Sequence, residues 1–186
     1  TSANIACGFH ASDPVVMSRT VKMAAESGVA AGAHPGYQDL VGFGRRNMNV
    51  APAEVTDIVM YQIGALEVFC RANGIAMQHV KPHGAMYNMA EKDDKLAEAI
   101  CRGIKAVNPD LILLGPGSGK MVKAAKALGL KTAGEVFADR AYMEDGTLVP
   151  RSQEGAMITD EEEAVARVLE MVQKGTVTAI TGKKIE

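Results

Sequence analysis

Short apolar runs alternate with longer amphipathic stretches from one end of the chain to the other. The short runs are rich in alanine, valine, isoleucine and leucine, whereas the longer stretches repeat apolar residues at helical spacing. Strands that alternate with helices predict a parallel sheet or barrel whose crossover connections are helices, an α/β fold. The predicted strands cover residues 4–7, 29–33, 77–81, 111–114, 131–135 and 177–181. The predicted helices cover residues 14–27, 53–73, 94–107, 119–128 and 160–174.

No linker, repeat or low-complexity tract interrupts this series, and 186 residues fit one domain. We therefore expect a single domain over residues 1–186. A predicted strand stands almost at each end of the chain, where it would lack a neighbour. We accordingly expect the whole domain to have a further first strand and a further C-terminal segment outside this sequence.

Composition narrows the classes of partner. The chain has 20 Lys and Arg, 22 Asp and Glu, and 4% aromatic residues. Balanced charge with few aromatic side chains argues against nucleic acid as a partner. No apolar run reaches the ~18 residues of a membrane-spanning helix, and no basic-then-apolar leader opens the chain. This composition predicts a soluble, cytoplasmic protein with no membrane partner, and it leaves a homo-oligomer open.

Three cysteines, widely spaced and without a CxxC pair, argue against disulfides and a structural zinc site. Cys70 and Cys101 fall in helical apolar patterns, where we expect them to be reduced and buried. Cys7 lies beside the first loop, but nothing near it in sequence lowers the pKa of its thiol. We therefore expect Cys7 to be reduced and do not assign it a nucleophilic role.

Two histidines directly follow predicted strands. His10 lies in the segment CGFHASDP and His34 in the segment GAHPGY. In parallel α/β folds the loops after the strands gather at one edge of the sheet and build the site. A neutral imidazole there can bind a divalent metal, act as an acid or base, or hydrogen-bond an anion, although a lone histidine at a strand end is often only a core residue.

A third loop, KPHGAMYN, begins at Lys81 and again ends a predicted strand. Alternation along the strand places Lys81 and His83 on the same side. We expect the rings of His10, His34 and His83 to converge in one pocket, with centroids within ~10 Å of one another. Lys81 either binds a carboxylate or phosphate or caps a carbonyl, and we interpret His79, inside the strand, as a structural histidine.

A fourth polar segment, GEVFADRAYMEDGTLVPR, follows the strand that begins at residue 131, and we expect a long loop there. Arg140 and Arg151 are candidates for holding an anionic substrate, because a guanidinium matches a pair of carboxylate or phosphate oxygens. The alternative for Asp139 and Arg140 is a surface ion pair of little energetic consequence.

Two glycine-containing loops are further candidate ligand sites. The segment GFGRRNMNV predicts a mobile or ligand-facing loop. The segment GPGSGKM resembles the end of a phosphate loop, but its spacing is too short and Met121 stands where the motif needs serine or threonine. Either the loop binds phosphate through backbone amides at a helix start, or it is a plain tight turn.

Taken together, CGFHASDP, GAHPGYQDLVGFGRR, KPHGAMYN and EVFADRAY, in this order and at these spacings, resemble the LamB/YcsF family over nearly the whole chain. The resemblance implies an incomplete or irregular (β/α) barrel of the glycoside hydrolase/deacetylase type. It also implies ATP-dependent opening of 5-oxo-L-proline to L-glutamate, performed together with two further subunits, B and C.

The same resemblance implies the site residues. The family's loops fall on His10 and Asp13, on His34, on Lys81 and His83, and on Asp139 and Arg140. The implied catalytic residues are His10, His34, His83 and Asp13. Lys81, Asp139, Arg140 and Arg151 are the candidates for substrate binding.

A divalent metal on His10 and His34 would take its third ligand from an acidic motif that family members carry on a preceding strand. This chain has Ser12 where the family's loop commonly has glycine, a mild change if that position is not left-handed.

Three functions remain open at this point. The first is a lactam-opening hydrolase that uses ATP. The second is a metal-dependent amide hydrolase or deacetylase that works alone. The third is a non-catalytic subunit that only binds substrate.

Overall fold

The computed structural model describes residues 1–117 and 119–185. The chain forms two compact units, Thr1–Gly134 and Glu135–Glu186. The strands of the main sheet are β1 Ser2–Ala6, β2 Ala30–His34, β3 Met77–Val80, β4 Ile112–Pro116 and β5 Lys131–Glu135. The helices of the first unit are α1 Pro14–Glu26, α2 Pro52–Ala72, α3 Gly84–Ala90, α4 Asp94–Val107 and α5 Lys120–Ala127.

The five strands form one sheet in the order β1-β2-β3-β4-β5, so each strand lies beside the one before it. β1 pairs with β2, β2 with β3 and β3 with β4 in parallel register. Helices connect the successive strands, which confirms the predicted α/β fold with helical crossovers. This order brings the carboxyl ends of neighbouring strands to one edge of the sheet, where their loops can meet.

Helices α2 and α4 pack closely in the core because a glycine lies at their contact. A Cβ built at Gly103 of α4 would lie 2.8 Å from the backbone oxygen of Thr56 and 3.1 Å from Cβ of Val59, both on α2. The hydroxyl of Thr56 donates to the backbone oxygen of Ala99 across this contact, at 3.0 Å. These two contacts hold α2 and α4 together at close distance.

The helix that begins at Gly84 is a correction to the prediction of a loop over KPHGAMYN. Gly84 has φ of 57°, a left-handed conformation that permits the sharp entry from the strand. Its backbone lies close to a neighbouring loop, because a Cβ there would be 2.5 Å from the oxygen of Gly44. The seven-residue α3 therefore starts directly after His83.

The second unit contains α6 Glu161–Lys174, β6 Val177–Thr178 and β7 Lys184–Ile185. The side chain of Asp160 accepts from the backbone N–H of Glu163 and starts α6, while Gly175 ends it in a left-handed conformation.

One further expectation for the second unit needs correction, and one gains detail. The predicted last strand is instead half of an antiparallel hairpin, because Gly182, with φ of 87°, reverses the chain between β6 and β7. The long polar loop is held by isolated antiparallel bridges, from Arg140 to Met157 and from Tyr142 to Leu148. The single domain over 1–186, with added strands outside it, stays a prediction.

Within the described ranges no helix combines the length and the apolar character that a membrane crossing requires.

Candidate functional site

Three histidines from three different loops lie in direct contact. The rings of His10 and His83 stack with centroids 3.9 Å apart and an interplanar angle of 6°. The ring of His34 meets both of them edge-on, with centroids 5.6 Å from His10 and 4.8 Å from His83. One nitrogen from each ring lies within 4.8 Å of the other two. The predicted convergence of these rings is confirmed, and His83 completes a trio where the sequence predicted an acidic third ligand from outside the chain.

The fold places each ring at the end of a parallel strand. His34 is the last residue of β2, and His83 is the cap residue before α3, two positions after Lys81. His10 lies in the loop between β1 and α1, in a turn closed by a 2.9 Å bond from the N–H of Gly8 to the oxygen of Ala11. Because β1, β2 and β3 are adjacent and parallel, their three loops meet at one edge of the sheet.

Ser12 ends the His10 turn in a left-handed conformation, with φ of 75°. The resemblance to the family implied a mild change from glycine only if this position were not left-handed. The structure shows that it is left-handed, so a β-carbon here is strained where glycine would not be.

The hydrogen bonds assign the ring protons of two histidines. Nδ1 of His34 lies 2.5 Å from the backbone oxygen of Lys81, and Nε2 of His83 lies 2.8 Å from the backbone oxygen of Phe43. A carbonyl oxygen only accepts, so both of these nitrogens carry a proton. In the neutral rings the remaining nitrogens, Nε2 of His34 and Nδ1 of His83, then both bear lone pairs, and they face each other at 3.0 Å.

The ring of His10 adds a nitrogen that has no hydrogen-bond partner. Nδ1 of His10 is buried and has no hydrogen bond to any described residue. Facing lone pairs repel unless a positive charge lies between them, and an unsatisfied buried nitrogen is costly. Neutral imidazole nitrogens are common ligands of Zn²⁺ and other divalent metals, so this donor set fits such an ion.

Burial keeps the three rings neutral at ordinary pH. Desolvation, followed by the neighbouring His83 and His34, lowers the pKa of His10 to about 3. Desolvation also lowers the pKa of His34 to about 4, with His83 and Lys81 adding to the effect and the bond to the Lys81 oxygen opposing it. The pKa of His83 is lowered as well, chiefly by burial. Neutral rings keep their lone pairs available at pH 7.

The loop over residues 39–46 forms a wall of the cluster. The ring of Phe43 meets His10 and His83 edge-on, with centroids 5.7 and 5.1 Å away. Gly44 is required beneath them, because a Cβ there would lie 2.7 Å from Cβ of His10. The predicted ligand-facing loop thus contacts the histidines directly.

Asp39, which no sequence motif singled out, holds this loop. Its carboxylate is buried and accepts from the N–H of Gly42 at 2.9 Å and from Nε of Arg46 at 2.8 Å. The bonds from the Arg46 side chain hold the pKa of Asp39 at about 2. A carboxylate paired with an arginine seven residues later has no motif of its own, so no pattern in the sequence indicated it.

Two residues proposed for the site occupy different environments. Asp13 is exposed and caps α1, accepting from the N–H groups of Val15 and Val16 at 2.8 and 2.9 Å. Lys81 is half-buried beside the histidines, and its positive charge contributes to the lowered pKa of His34 and His83. The structural interpretation of His79 fits its buried position and the 2.8 Å contact of its Nε2 with Oδ1 of Asn4.

The remaining candidates belong to the second unit. Arg140 is buried, and its terminal nitrogen donates to the backbone oxygen of Val149 at 2.6 Å. Asp139 and Arg151 are exposed. Their part in substrate binding stays a prediction.

The loop that resembles a phosphate site has its helix start occupied by a side chain of the protein. The carboxylate of Glu91 accepts from the backbone N–H of Lys120 at 2.7 Å and from that of Met121 at 3.3 Å. A Cβ at Gly119 would lie 2.2 Å from this carboxylate. Ser118 of the same segment lies outside the described residues. The two N–H groups at the start of α5 are therefore taken by an internal anion.

Comparison with known proteins places this site in a family context. The chain is 66% identical over 185 residues to the A subunit of 5-oxoprolinase from Clostridium beijerinckii, covering 100% of this chain and 72% of that protein. It is 57% identical over 185 residues to the A subunit of 5-oxoprolinase from Bacillus subtilis, again covering 100% of this chain and 72% of the relative.

A solved structure agrees with these relatives. The crystal structure of a lactam utilization protein from Thermus thermophilus is 48% identical and superimposes with a TM-score of 0.94, over 98% of this chain and 74% of the other. The model of the LamB/YcsF family matches residues 1–186. The chain therefore belongs to the LamB/YcsF family.

Proposed function

We propose that this chain is the A subunit of an ATP-dependent 5-oxoprolinase, which hydrolyses the lactam of 5-oxo-L-proline to L-glutamate together with subunits B and C. The observation that carries the proposal is the cluster of three neutral histidines, in which one nitrogen from each ring lies within 4.8 Å of the other two. The names of the relatives supply the substrate, since a protein 66% identical to this chain is called the A subunit of 5-oxoprolinase.

Opening an unstrained five-membered lactam requires an activated carbonyl and an activated water. A divalent metal held by His10, His34 and His83 would supply Lewis acidity at the carbonyl oxygen. In the metal-free cluster the chain's own residues would manage protons instead: a neutral imidazole accepts one from the attacking water and returns it to the leaving nitrogen. The carbonyl oxygens of Lys81 and Phe43 fix two of the rings, so each presents a defined nitrogen to the site.

Lys81 is the proposed partner of the substrate's carboxylate. It follows the same strand as His83, and its charge is close enough to lower the pKa of that ring. Holding the carboxylate there orients the lactam ring toward the imidazoles. Asp139, Arg140 and Arg151 stay candidates for the same task, and Asp13 a candidate for catalysis.

ATP would drive the reaction by phosphorylating the lactam oxygen, with release of ADP, which makes the ring carbon more open to attack by water. The C–N bond then breaks to free the amine, and a second water hydrolyses the resulting acyl phosphate to the carboxylate and inorganic phosphate. No complete phosphate-loop motif stands in the sequence. The start of α5, which resembles part of one, holds Glu91. We therefore propose that the nucleotide site is completed by subunits B and C.

The test is glutamate release from 5-oxoproline and ATP by the three subunits together. Replacing His34 by alanine in this chain is expected to abolish release while the complex still assembles, as checked by size-exclusion chromatography. Assembly with activity retained would contradict the proposal. Assembly with activity lost would count against a subunit that only binds substrate.

A metal-dependent amide hydrolase or deacetylase that works alone is the second candidate. It is favoured by one observation: all three histidines come from this one chain. Hydrolysis of 5-oxoproline or of an acetylated sugar by the purified chain with Zn²⁺, and without ATP or partners, would establish it in place of the first.

A further inference from the structure

We infer that Gln62 of α2 is a positioning residue for the histidine centre, because its side-chain amide holds the turn that joins all three rings. This inference rests on the proposed function, since it assigns a task within that site. Gln62 touches none of the reacting groups and would act only through the turn.

The side-chain amide of Gln62 forms hydrogen bonds with both the backbone N–H and the backbone oxygen of Gly36. Its Oε1 accepts from the backbone N–H of Gly36 at 3.0 Å, and its Nε2 donates to the backbone oxygen of Gly36 at 2.9 Å. A second donor bond from Nε2 reaches the oxygen of Ile58, one turn earlier on α2, at 3.1 Å. The side chain is fully buried, and its hydrogen-bonding capacity is used on two backbone segments.

The turn that Gln62 holds, residues 34–36, includes or contacts each of the three histidines. His34 precedes Gly36 by two residues. The backbone N–H of His83 donates to the oxygen of Pro35 at 2.8 Å. A Cβ built at Gly36 would lie 2.7 Å from Nδ1 of His10, so the backbone of the turn packs directly against that ring. A displacement of this turn therefore changes the spacing of all three imidazoles.

The chemistry of position 62 argues for a role beyond packing. The other buried residues of α2 are apolar or cysteine: Val55, Val59, Ile63, Leu66 and Cys70. Burying an amide among them carries a desolvation cost that its hydrogen bonds only offset. Methionine has nearly the same shape and would fill the space without that cost, so the amide itself is what this position uses.

The experiment replaces Gln62 by methionine in the protein and measures two quantities. The first is Zn²⁺ affinity by titration calorimetry. The second is the rate of solvent exchange of the His34 Nδ1–H by NMR in metal-free protein. We expect Zn²⁺ affinity to fall about tenfold or more, as is common when a group that orients metal ligands is removed. We expect the ring proton to exchange about tenfold faster, because opening of the loosened turn exposes its bond to the Lys81 oxygen.

Val59→Ala is the matched control, since Val59 is buried on the same helix but packs against Gly103 of α4. It is expected to lower stability while leaving both quantities within about twofold, well below the change expected for Gln62→Met. If Gln62→Met does not fold, Gln62→Glu takes its place, because it keeps the acceptor for the Gly36 N–H and loses the donor.

A folded Gln62→Met protein with unchanged exchange of the His34 proton would overturn the inference. If the unmodified protein binds no Zn²⁺, the metal part of the proposed function fails. The exchange measurement still decides the role of Gln62, so the two failures are distinguishable.

Discussion

At the scale of the residue, Ser12 illustrates how one backbone angle changes the meaning of a substitution. Its φ of 75° is a conformation that glycine adopts without strain. We expect Ser12→Gly to raise the free energy of unfolding by up to about 1 kcal/mol, because relief of the left-handed strain exceeds the entropy that glycine adds to the unfolded chain. Urea denaturation followed by circular dichroism measures the change.

Gly8→Ala in the same turn is the control of opposite sign. Gly8 has φ of 95° and no neighbour within 4 Å of a Cβ, so alanine there adds strain without a clash. A loss of about 1–2 kcal/mol is expected. Destabilisation by Ser12→Gly would show that the serine hydroxyl contributes more than the strain removes.

The lowered histidine pKa values predict how stability depends on pH. In the folded protein the pKa of His10 is about 3 and that of His34 about 4, against 6.5 for a free histidine. Below pH 6.5 the unfolded chain therefore binds more protons than the folded one, and the free energy of unfolding falls as the pH drops toward 4. Well above pH 6.5 the contribution of these groups levels off, because the histidines are then neutral in both states.

Urea midpoints at pH 7.5, 6.0 and 5.0 in metal-free protein measure this dependence. A variant with His10→Gln removes one titrating ring, so its midpoint is expected to change less over the same interval. Equal slopes for the two proteins would show that His10 does not contribute.

At the scale of the element, the start of α5 depends on a carboxylate from outside the helix. Glu91 accepts two N–H groups there, and Gly119 leaves the space for it. Glu91→Ala is expected to lower the free energy of unfolding by about 1–2 kcal/mol, the usual cost of removing a helix cap. Urea denaturation again measures it.

Glu98→Ala provides the comparison, since Glu98 forms an exposed ion pair with Arg102. Such a pair contributes about 0.5 kcal/mol or less. If both variants lost the same small amount, Glu91 would not be acting as a cap.

The strand and helix order could be predicted from the sequence because local signals agree with the packing. Apolar runs and their alternation with amphipathic stretches placed most elements close to their observed bounds. The exceptions lack such signals. The helix α3 has seven residues and begins at a left-handed glycine, and the last predicted strand is reversed by Gly182.

The candidate site divides in the same way. His10, His34 and His83 could be predicted to converge because each follows a parallel strand. The roles of Gln62 and Asp39 could not be predicted. Gln62 bonds a backbone segment distant in sequence, and Asp39 bonds groups of its own loop, and neither pairing has a sequence motif. Which backbone groups need a side-chain partner becomes visible only once the chain is folded.

At the scale of the whole molecule, the proposed reaction is divided between chains. We expect the purified chain with ATP and 5-oxoproline to release little or no glutamate, and the mixture with subunits B and C to release it steadily. The reason is that γ-phosphate transfer needs backbone amides, basic side chains and usually Mg²⁺ around the nucleotide. Glutamate is measured enzymatically in both samples.

Equilibrium binding of ATP to the chain alone gives an independent check of the same prediction. Weak or absent binding agrees with a nucleotide site completed elsewhere. Full turnover by the lone chain would show that a complete nucleotide site exists in it, in loops without a recognisable motif.

The stacking of His10 on His83 has a consequence for what the site can hold at one time. Two rings 3.9 Å apart and nearly parallel disfavour charging together, and His83 lowers the pKa of His10 beside it. A proton on a ring nitrogen occupies the lone pair that a metal ion would bind, so a proton and a metal ion compete for the same nitrogens. Acidification is therefore expected to release a metal ion from the three histidines, and metal binding to oppose their protonation.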